Sequence, residues 1–142
     1  MVKVVYWSGT GNTESMANIL AEGIKELGNE VKLFNVSDID KDILLEDDVF
    51  ALGCPSMGSE ELEEGEMEPF VESLEGGLSG KKVALFGSYG WGTGEWMENW
   101  SARMKNAGAE VIGTVICNET PDADAEIELK GLGEKISKAI RN

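Results

Sequence analysis

The sequence predicts an α/β protein built on a doubly wound parallel sheet with helices on both faces. Two observations lead to this prediction. Strand and helix patterns alternate five times along the 142 residues, which is typical of a parallel sheet with crossover helices. Most of the strand patterns are continuous apolar runs, as expected where both faces of a strand are buried.

The first half of the chain reads strand, helix, strand, turn and strand. Residues 2–7 are almost continuously apolar. Apolar side chains then recur at steps of three and four from Met16 to Leu27, which makes one helix face, and Gly28-Asn29 is a typical helix end. The remaining patterns are a strand at 30–36, a weak helical turn at 40–45 and a buried strand at 49–53.

The second half continues the alternation. Its patterns are a helix around 69–74, a strand at 82–87, a helix at 96–107, a strand at 110–117 and a last helix over 127–140. Loops rich in polar residues or glycine follow four of the strands, at 8–13, 54–65, 88–94 and 118–121. Since ligands bind at the carboxyl ends of strands in such folds, these loops are expected to form one site.

Composition excludes several classes of function. The chain carries 27 acidic and 12 basic residues, a net charge of −15, so it should repel nucleic acid and anionic membranes. It has no histidine, which removes mechanisms that need a histidine base or ligand. No apolar run approaches the roughly 20 residues of a membrane span. The length suits one domain over 1–142, and the absence of a signal-peptide pattern predicts a cytoplasmic protein.

A phosphate site is indicated by the loop after the first strand, which reads Ser8-Gly9-Thr10-Gly11-Asn12-Thr13. Glycines let backbone N–H groups converge, and a helix N-terminus adds unpaired donors and a favourable dipole. The hydroxyl and amide side chains are further donors. The nearest cations, Lys3 and Lys25, lie outside the loop, so we expect neutral dipoles to hold the phosphate. The alternative is an ordinary strand–helix turn with a Thr or Asn cap.

Several known phosphate motifs do not fit this loop. A Walker A loop requires a Lys after Gly11, and a dinucleotide fingerprint requires a glycine where Glu14 stands and an acidic residue where Asn35 stands. A response regulator needs acidic residues after the first strand, and a cysteine phosphatase needs an Arg downstream of Cys54; both are missing. The remaining interpretation is a single phosphate monoester attached to a planar group.

Two side chains are candidates for contact with a planar ring. Trp91 stands between two glycines in a loop, where a core role is hard to explain. Met57 offers a soft, polarizable contact for the opposite face, although both could merely pack on the protein. Trp7 is expected to be shared between the core and the site. A nearby acidic cluster is expected to be solvated surface, with one member able to accept an N–H from a ring: Glu60, Glu61, Glu63, Glu64 and Glu66.

Three segments at fitting spacing carry a family resemblance: VVYWSGTGNTE at 4–14, LGCPSMGSEELE at 52–63 and GKKVALFGSYGWG at 80–92. The chain resembles the short-chain flavodoxins over essentially its whole length. The resemblance implies a five-stranded sheet in the order 2-1-3-4-5 and non-covalent FMN. It implies a low-potential one-electron carrier, not an enzyme, that shuttles between semiquinone and hydroquinone in place of ferredoxin. It also implies a monomer that meets partners with basic docking surfaces, such as ferredoxin-type oxidoreductases.

The resemblance assigns roles to individual residues. Residues 8–13 are expected to hold the phosphate, Met57 and Trp91 to flank the isoalloxazine, and Glu60 to accept from the ring N3–H. The rest of the implied site comprises Ser56, Gly58, Ser59, Ser88, Tyr89, Gly90 and Gly92, with Asn118 and Glu119 near its edge. The strand order places the ends of strands 3 and 5 roughly 10 Å apart, so Cys54 and Cys117 should not form a disulfide.

Redox control is expected at the Gly58–Ser59 peptide, because in this family a backbone carbonyl, here that of Gly58, accepts the N5 proton of the neutral semiquinone. The flipped type II′ turn needs φ > 0 at Gly58, which glycine adopts freely, whereas the unflipped type II turn needs it at Ser59. The sequence therefore favours the semiquinone. The second electron adds negative charge beside a phosphate and apolar walls. The semiquinone/hydroquinone couple should therefore be the more reducing of the two.

Two alternatives remain open from the sequence. One is an FMN-dependent quinone or nitro reductase of the same fold, which usually needs open space over the ring and an oligomer contact. Trp91 and the lack of inserted segments weigh against it. The other is a non-redox module that binds a phosphate ligand, which an absorbance spectrum would distinguish.

Overall fold

A computed structural model describes residues 1–141 and contains a five-stranded parallel sheet. The strands are β1 (Val2–Tyr6), β2 (Val31–Asn35), β3 (Val49–Gly53), β4 (Lys82–Tyr89) and β5 (Glu110–Asn118). Their order is β2-β1-β3-β4-β5, as predicted. Because the chain crosses from β2 past β1 to β3, the strand order reverses there, which opens a crevice at the carboxyl ends of β1 and β3.

Helices connect the strands and cover both faces. They are α1 (Asn12–Glu26), α2 (Lys41–Leu44), α3 (Met67–Leu74), α4 (Glu95–Asn106) and α5 (Ala123–Arg141). The buried side chains of α1 and α5 join one core cluster, and those of α2, α3 and α4 join the other. Among the described helices, none combines the length and the apolar character that crossing a membrane would require.

The sheet separates two cores because successive residues of a strand point to opposite faces. Val4 belongs to the core under α1 and α5, whereas Val5 belongs to the core under α3 and α4. In β4, Leu85 and Phe86 divide in the same way, and both are fully buried. This double burial explains why the central strands read as continuous apolar runs.

Two strands extend further than their sequence predicts. Ser88 and Tyr89 were expected in a loop but form the last pairs of β4, opposite Cys117 and Asn118 at the end of β5. The sequence Gly-Ser-Tyr-Gly at 87–90 has a composition typical of loops. Pairing with β5 supplies backbone partners that local propensity does not reveal. The extension carries Ser88 and Tyr89 to the carboxyl edge on a rigid element instead of a loop.

Candidate functional site

A cavity of about 400 Å³ opens at the carboxyl edge of the sheet. Its walls come from four strand ends and their loops: Trp7, Gly9, Thr10, Asn12, Pro55, Ser56, Met57, Ser88, Tyr89, Gly90, Glu119 and Thr120. The volume lies in the usual range for a small-molecule site. Among the residues that the structure describes, no Lys or Arg lines this cavity, and Glu119 is its one charged member. The predicted convergence of the loops is therefore present.

A larger cavity of about 610 Å³ lies at the opposite, amino end of the sheet. Carboxylates including Glu30, Asp47 and Asp48 border it, and no aromatic side chain among the described residues lines it. The smaller cavity is the better candidate because it combines aromatic walls with a loop rich in free donors.

The loop after β1 is folded around the hydroxyl of Ser8. Its Oγ accepts the N–H of Gly11 at 3.1 Å and the N–H of Glu14 at 3.2 Å. Gly11 has φ +97°, a backbone conformation that favours glycine. Ser8 therefore supports the first turn of α1 from outside the helix, in place of the Thr or Asn cap considered above. Its own O–H proton remains available for donation.

This arrangement leaves backbone donors free at the mouth of the cavity. Within residues 1–141, the N–H groups of Gly9, Thr10, Asn12 and Thr13 make no hydrogen bond. The last two begin α1, where a helix has no internal acceptor for them. Unpaired donors at a helix N-terminus are suited to an anion. The loop fits a phosphate better than it fits a merely structural turn.

Two side-chain contacts tie the loop to other parts of the cavity. Thr13 Oγ1 lies 3.1 Å from Ser88 Oγ, and both residues are buried. Thr120 Oγ1 donates to Asn12 Oδ1 at 3.3 Å, so the Asn12 amide nitrogen remains free to donate. The structure thus brings residues of the first loop together with the ends of β4 and β5.

The turn after β3 closes over three residues rather than the two central residues considered above. Met57 and Glu61 exchange both backbone hydrogen bonds at 2.8 Å each. Gly58 has φ +50°, while Ser59 does not have a positive φ. Glu60 also lies in the left-handed region, with φ +56°. Positive φ at a residue other than glycine is a strained conformation that is common at functional sites.

Glu60 makes contacts that the sequence did not suggest. Its Oε1 accepts the N–H of Gly94 at 3.0 Å and the N–H of Glu95 at 2.9 Å, which places the carboxylate at the N-terminus of α4. Gly92 packs on this side chain, because a Cβ there would lie 2.6 Å from Glu60 Cδ. One carboxylate oxygen is thus used within the protein, and Oε2 remains for an N–H donor such as a ring N3–H.

The apolar walls divide between buried and exposed side chains. Trp7 is half-buried, packs against the core and lines the cavity, as predicted. The centroid of the Tyr89 ring lies 5.6 Å from the centroid of the Trp96 ring. Met57 lines the cavity, whereas Trp91 is 66% exposed and stands outside its lining. The prediction that Trp91 is not a core residue is therefore confirmed.

The loop after β5 is fixed by the carbonyl of Tyr89. That oxygen accepts the N–H of Glu119 at 2.8 Å and the side-chain amide of Asn118 at 3.3 Å. Glu119 has φ +58°, the second such residue at this edge. Asn118 ends β5, and Glu119 and Thr120 reach the cavity.

One expectation about the acidic cluster is wrong. Glu63 is buried, because its carboxylate accepts the N–H groups of Gly65 and Glu66 at 2.6–2.9 Å. Local composition gives no indication of this burial. Both cysteines are free, as predicted. Burial raises the pKa of the Cys54 thiol from 9.0 to about 12 and that of Cys117 to about 11.

The cavity and the predicted site overlap without coinciding. Trp7, Pro55 and Thr120 line the cavity but were absent from the predicted cofactor-binding set. Position within the polar loops could have indicated Pro55 and Thr120. The predicted members outside the lining are Ser8, Gly11, Thr13, Gly58, Ser59, Glu60, Trp91, Gly92 and Asn118.

Fold and site together define a doubly wound α/β protein with a cavity for a phosphate-bearing, partly planar ligand. The flavodoxin family model matches residues 4–130. Flavodoxin of Megasphaera elsdenii is 53% identical, covering 98% of this chain and 100% of that protein. Flavodoxin of Clostridium beijerinckii is 50% identical, covering 96% and 99%.

Comparison of structures gives the same result. The solution structure of two-electron reduced Megasphaera elsdenii flavodoxin superposes with a TM-score of 0.91 at 53% identity, covering 97% of this chain and 99% of that one. The chain belongs to the flavodoxin family, small FMN-binding electron-transfer proteins rather than enzymes. The predicted family and fold are confirmed.

Proposed function

We propose that the whole chain, 1–142, is one FMN-binding domain that acts as a low-potential one-electron carrier in place of ferredoxin. The observation that carries this proposal is the joint presence, around one cavity, of free amide donors and aromatic walls without a basic residue. Bound FMN supplies the one-electron chemistry. The chain's own residues bind it, orient it and set the electrostatic cost of reduction.

The phosphate end is assigned to the six residues of the first loop. The free N–H groups described above act together with the Asn12 amide, the Ser8 hydroxyl and the Thr10 hydroxyl. These donors are neutral, so the anion is held by dipoles in a fixed arrangement rather than by a mobile cation. The Thr13–Ser88 contact supports the loop from below.

The ring end is assigned to the loops after β3, β4 and β5. Met57 and Trp91 cover the two faces, and the second oxygen of Glu60 accepts from N3–H. The carbonyl of Gly58 serves as acceptor for a proton at ring N5, and the absence of positive φ at Ser59 is compatible with this role. The remaining wall residues are Ser56, Ser59, Ser88, Tyr89, Gly90 and Gly92, with Asn118 and Glu119 at the edge.

The low potential of the second couple follows from charge. The protein carries a net charge of −15, and within residues 1–141 no Lys or Arg lines the cavity. Added negative charge on the ring is therefore opposed by the phosphate, by the carboxylates and by the apolar walls. These charges and apolar walls would give the second one-electron couple of bound FMN a lower potential than the first.

The acidic surface also indicates the kind of partner. We propose that the chain is a cytoplasmic monomer that docks on proteins with basic surfaces, such as ferredoxin-type oxidoreductases. Two free, buried cysteines are compatible with a reducing compartment.

Titration of the apoprotein with FMN and with riboflavin tests the proposal. We expect one tightly bound FMN per chain, a flavin absorbance spectrum and a blue neutral radical on partial reduction. Riboflavin should bind at least about tenfold more weakly, since it lacks the anion that the loop donors would hold. Asn12→Ala should reduce the ratio of the riboflavin to the FMN dissociation constant. Ser101→Ala, at a half-buried position on α4 outside the cavity, is a distant control. Failure to bind flavin would overturn the proposal, and equal affinities would overturn the phosphate assignment.

A further inference from the structure

Trp7 is a wall of the cavity that also touches the phosphate loop. Its ring is half-buried against the core beneath α3 and α4 and lines the cavity. A Cβ built on Gly9 would lie 3.0 Å from Trp7 Cη2, so the ring lies directly on this loop. Any rotation of the indole would therefore change both the cavity wall and the support of the loop that bears the phosphate donors.

A polar contact holds the indole at its outer edge. Trp7 Nε1 donates to Glu66 Oε1 at 3.3 Å, across 59 residues of sequence. Glu66 is exposed, yet its backbone is well fixed: its N–H donates to both carboxylate oxygens of Glu63, at 2.7 and 2.9 Å. Its carbonyl accepts the N–H of Phe70 at 3.1 Å, in the first turn of α3.

The carboxylate of Glu63 anchors this arrangement. Glu63 is 7% exposed, accepts the N–H of Gly65 as well as that of Glu66, and donates its own N–H to Cys54 Sγ at 3.4 Å. The turn at 63–66 is thus attached to the end of β3, and Glu66 projects from it toward the indole. A mobile surface glutamate would hold the ring poorly, whereas one on an anchored turn can fix it.

We propose that Glu66 is a positioning residue that holds the Trp7 ring against the cavity through its indole N–H. The proposal rests on the proposed function, because the property it improves is FMN binding. Glu66 does not touch the cavity and acts through Trp7 alone. Removing the Glu66 carboxylate frees the indole to rotate. FMN binding must then order the indole again, and this ordering lowers the affinity for FMN.

The test compares three variants of the full chain by FMN titration. Glu66→Ala should raise the dissociation constant about three- to tenfold, within the range of the net contribution of one ordinary hydrogen bond. Glu66→Gln retains an acceptor oxygen and should stay within about twofold of the unmodified protein. Glu64→Ala is the matched control: this exposed carboxylate makes no hydrogen bond or ion pair within residues 1–141, and its loss should change affinity less than about twofold.

A double-mutant cycle with Trp7→Phe tests whether Glu66 affects FMN affinity through the Trp7 indole N–H. If Glu66 acts through the indole N–H, Glu66→Ala should change FMN affinity less than about twofold once that N–H is gone. An equal effect in both backgrounds would overturn the proposal, as would no effect in either. Urea unfolding of each variant measures any loss of global stability, so that affinity is compared between folded proteins.

A readout without cofactor separates this proposal from the proposed function. In nitrogen-15 spectra of the apoprotein, the Trp7 indole N–H resonance should move and exchange faster with solvent in Glu66→Ala, and not in Glu66→Gln or Glu64→Ala. An unchanged resonance would overturn the positioning role even where FMN binds. Failure of the unmodified chain to bind FMN, with the resonance shifted as expected, would overturn the proposed function and leave the Trp7–Glu66 contact established.

Discussion

Replacement of Thr13 by valine should destabilise the fold by removing one oxygen without changing side-chain shape. Thr13 is 1% exposed and Ser88 is 4% exposed. Thr13 Oγ1 lies 3.1 Å from Ser88 Oγ and accepts the Ser88 N–H at 3.4 Å. Both contacts join α1 to β4 beneath the phosphate loop, so water cannot readily replace the lost oxygen.

The size of the destabilisation follows from the burial of the Ser88 hydroxyl, which remains in the variant. The second contact is long and contributes little, so most of the cost comes from a buried serine hydroxyl left without a partner. That cost is about 1–3 kcal/mol. Thr13→Val should therefore lower the free energy of unfolding by about 2 kcal/mol, a substantial part of the 5–15 kcal/mol typical of a domain.

Urea unfolding of the apoprotein measures this change in the free energy of unfolding. The unmodified protein, Thr13→Val, Ser88→Ala and the double variant together form a double-mutant cycle. Removal of both hydroxyls leaves no hydroxyl without a partner, so the double variant should be more stable than the sum of the single effects predicts, by about 1 kcal/mol. The m-value should stay constant, since the unfolded surface is unchanged. Additive effects within about 0.5 kcal/mol would show that the two hydroxyls do not act as a pair.

Three further predictions concern pH, redox potential and salt. Because burial raises the pKa of Cys54 from 9.0 to about 12, its stabilisation of the fold is complete below about pH 9 and is lost as pH rises toward 12. Urea unfolding between pH 7 and 11 should therefore show a steeper alkaline loss in the unmodified protein than in Cys54→Ala, approaching about 1.4 kcal/mol per pH unit; parallel curves would contradict this. Ser59→Gly should lower the first one-electron reduction potential, since glycine removes the strain that disfavours the alternative turn; an unchanged or raised potential in spectroelectrochemistry would refute it. Electron transfer to a basic partner should slow as salt rises from low values to about 0.5 M, and stopped-flow rates independent of salt would exclude an acidic docking surface.

The sequence by itself determined the elements and their arrangement. Strands buried on both faces have a composition that few other structures share, and glycine-rich loops at their ends mark the helix starts. Three motifs at fitting spacing then indicated the family, and with it the order of the sheet. These features are local or linear in the chain, so they can be recognised without knowing which segments meet.

Contacts between distant segments were decided by the tertiary structure alone. Thr13 meets Ser88, Trp7 meets Glu66 and Glu60 meets the N-terminus of α4 across 34 to 75 residues of sequence. The burial of Glu63 and the extension of β4 to Tyr89 depend likewise on neighbours that are remote in the chain. A side chain's hydrogen-bond partner and exposure depend on the packing of whole elements, whereas the sequence specifies directly only what each element can be.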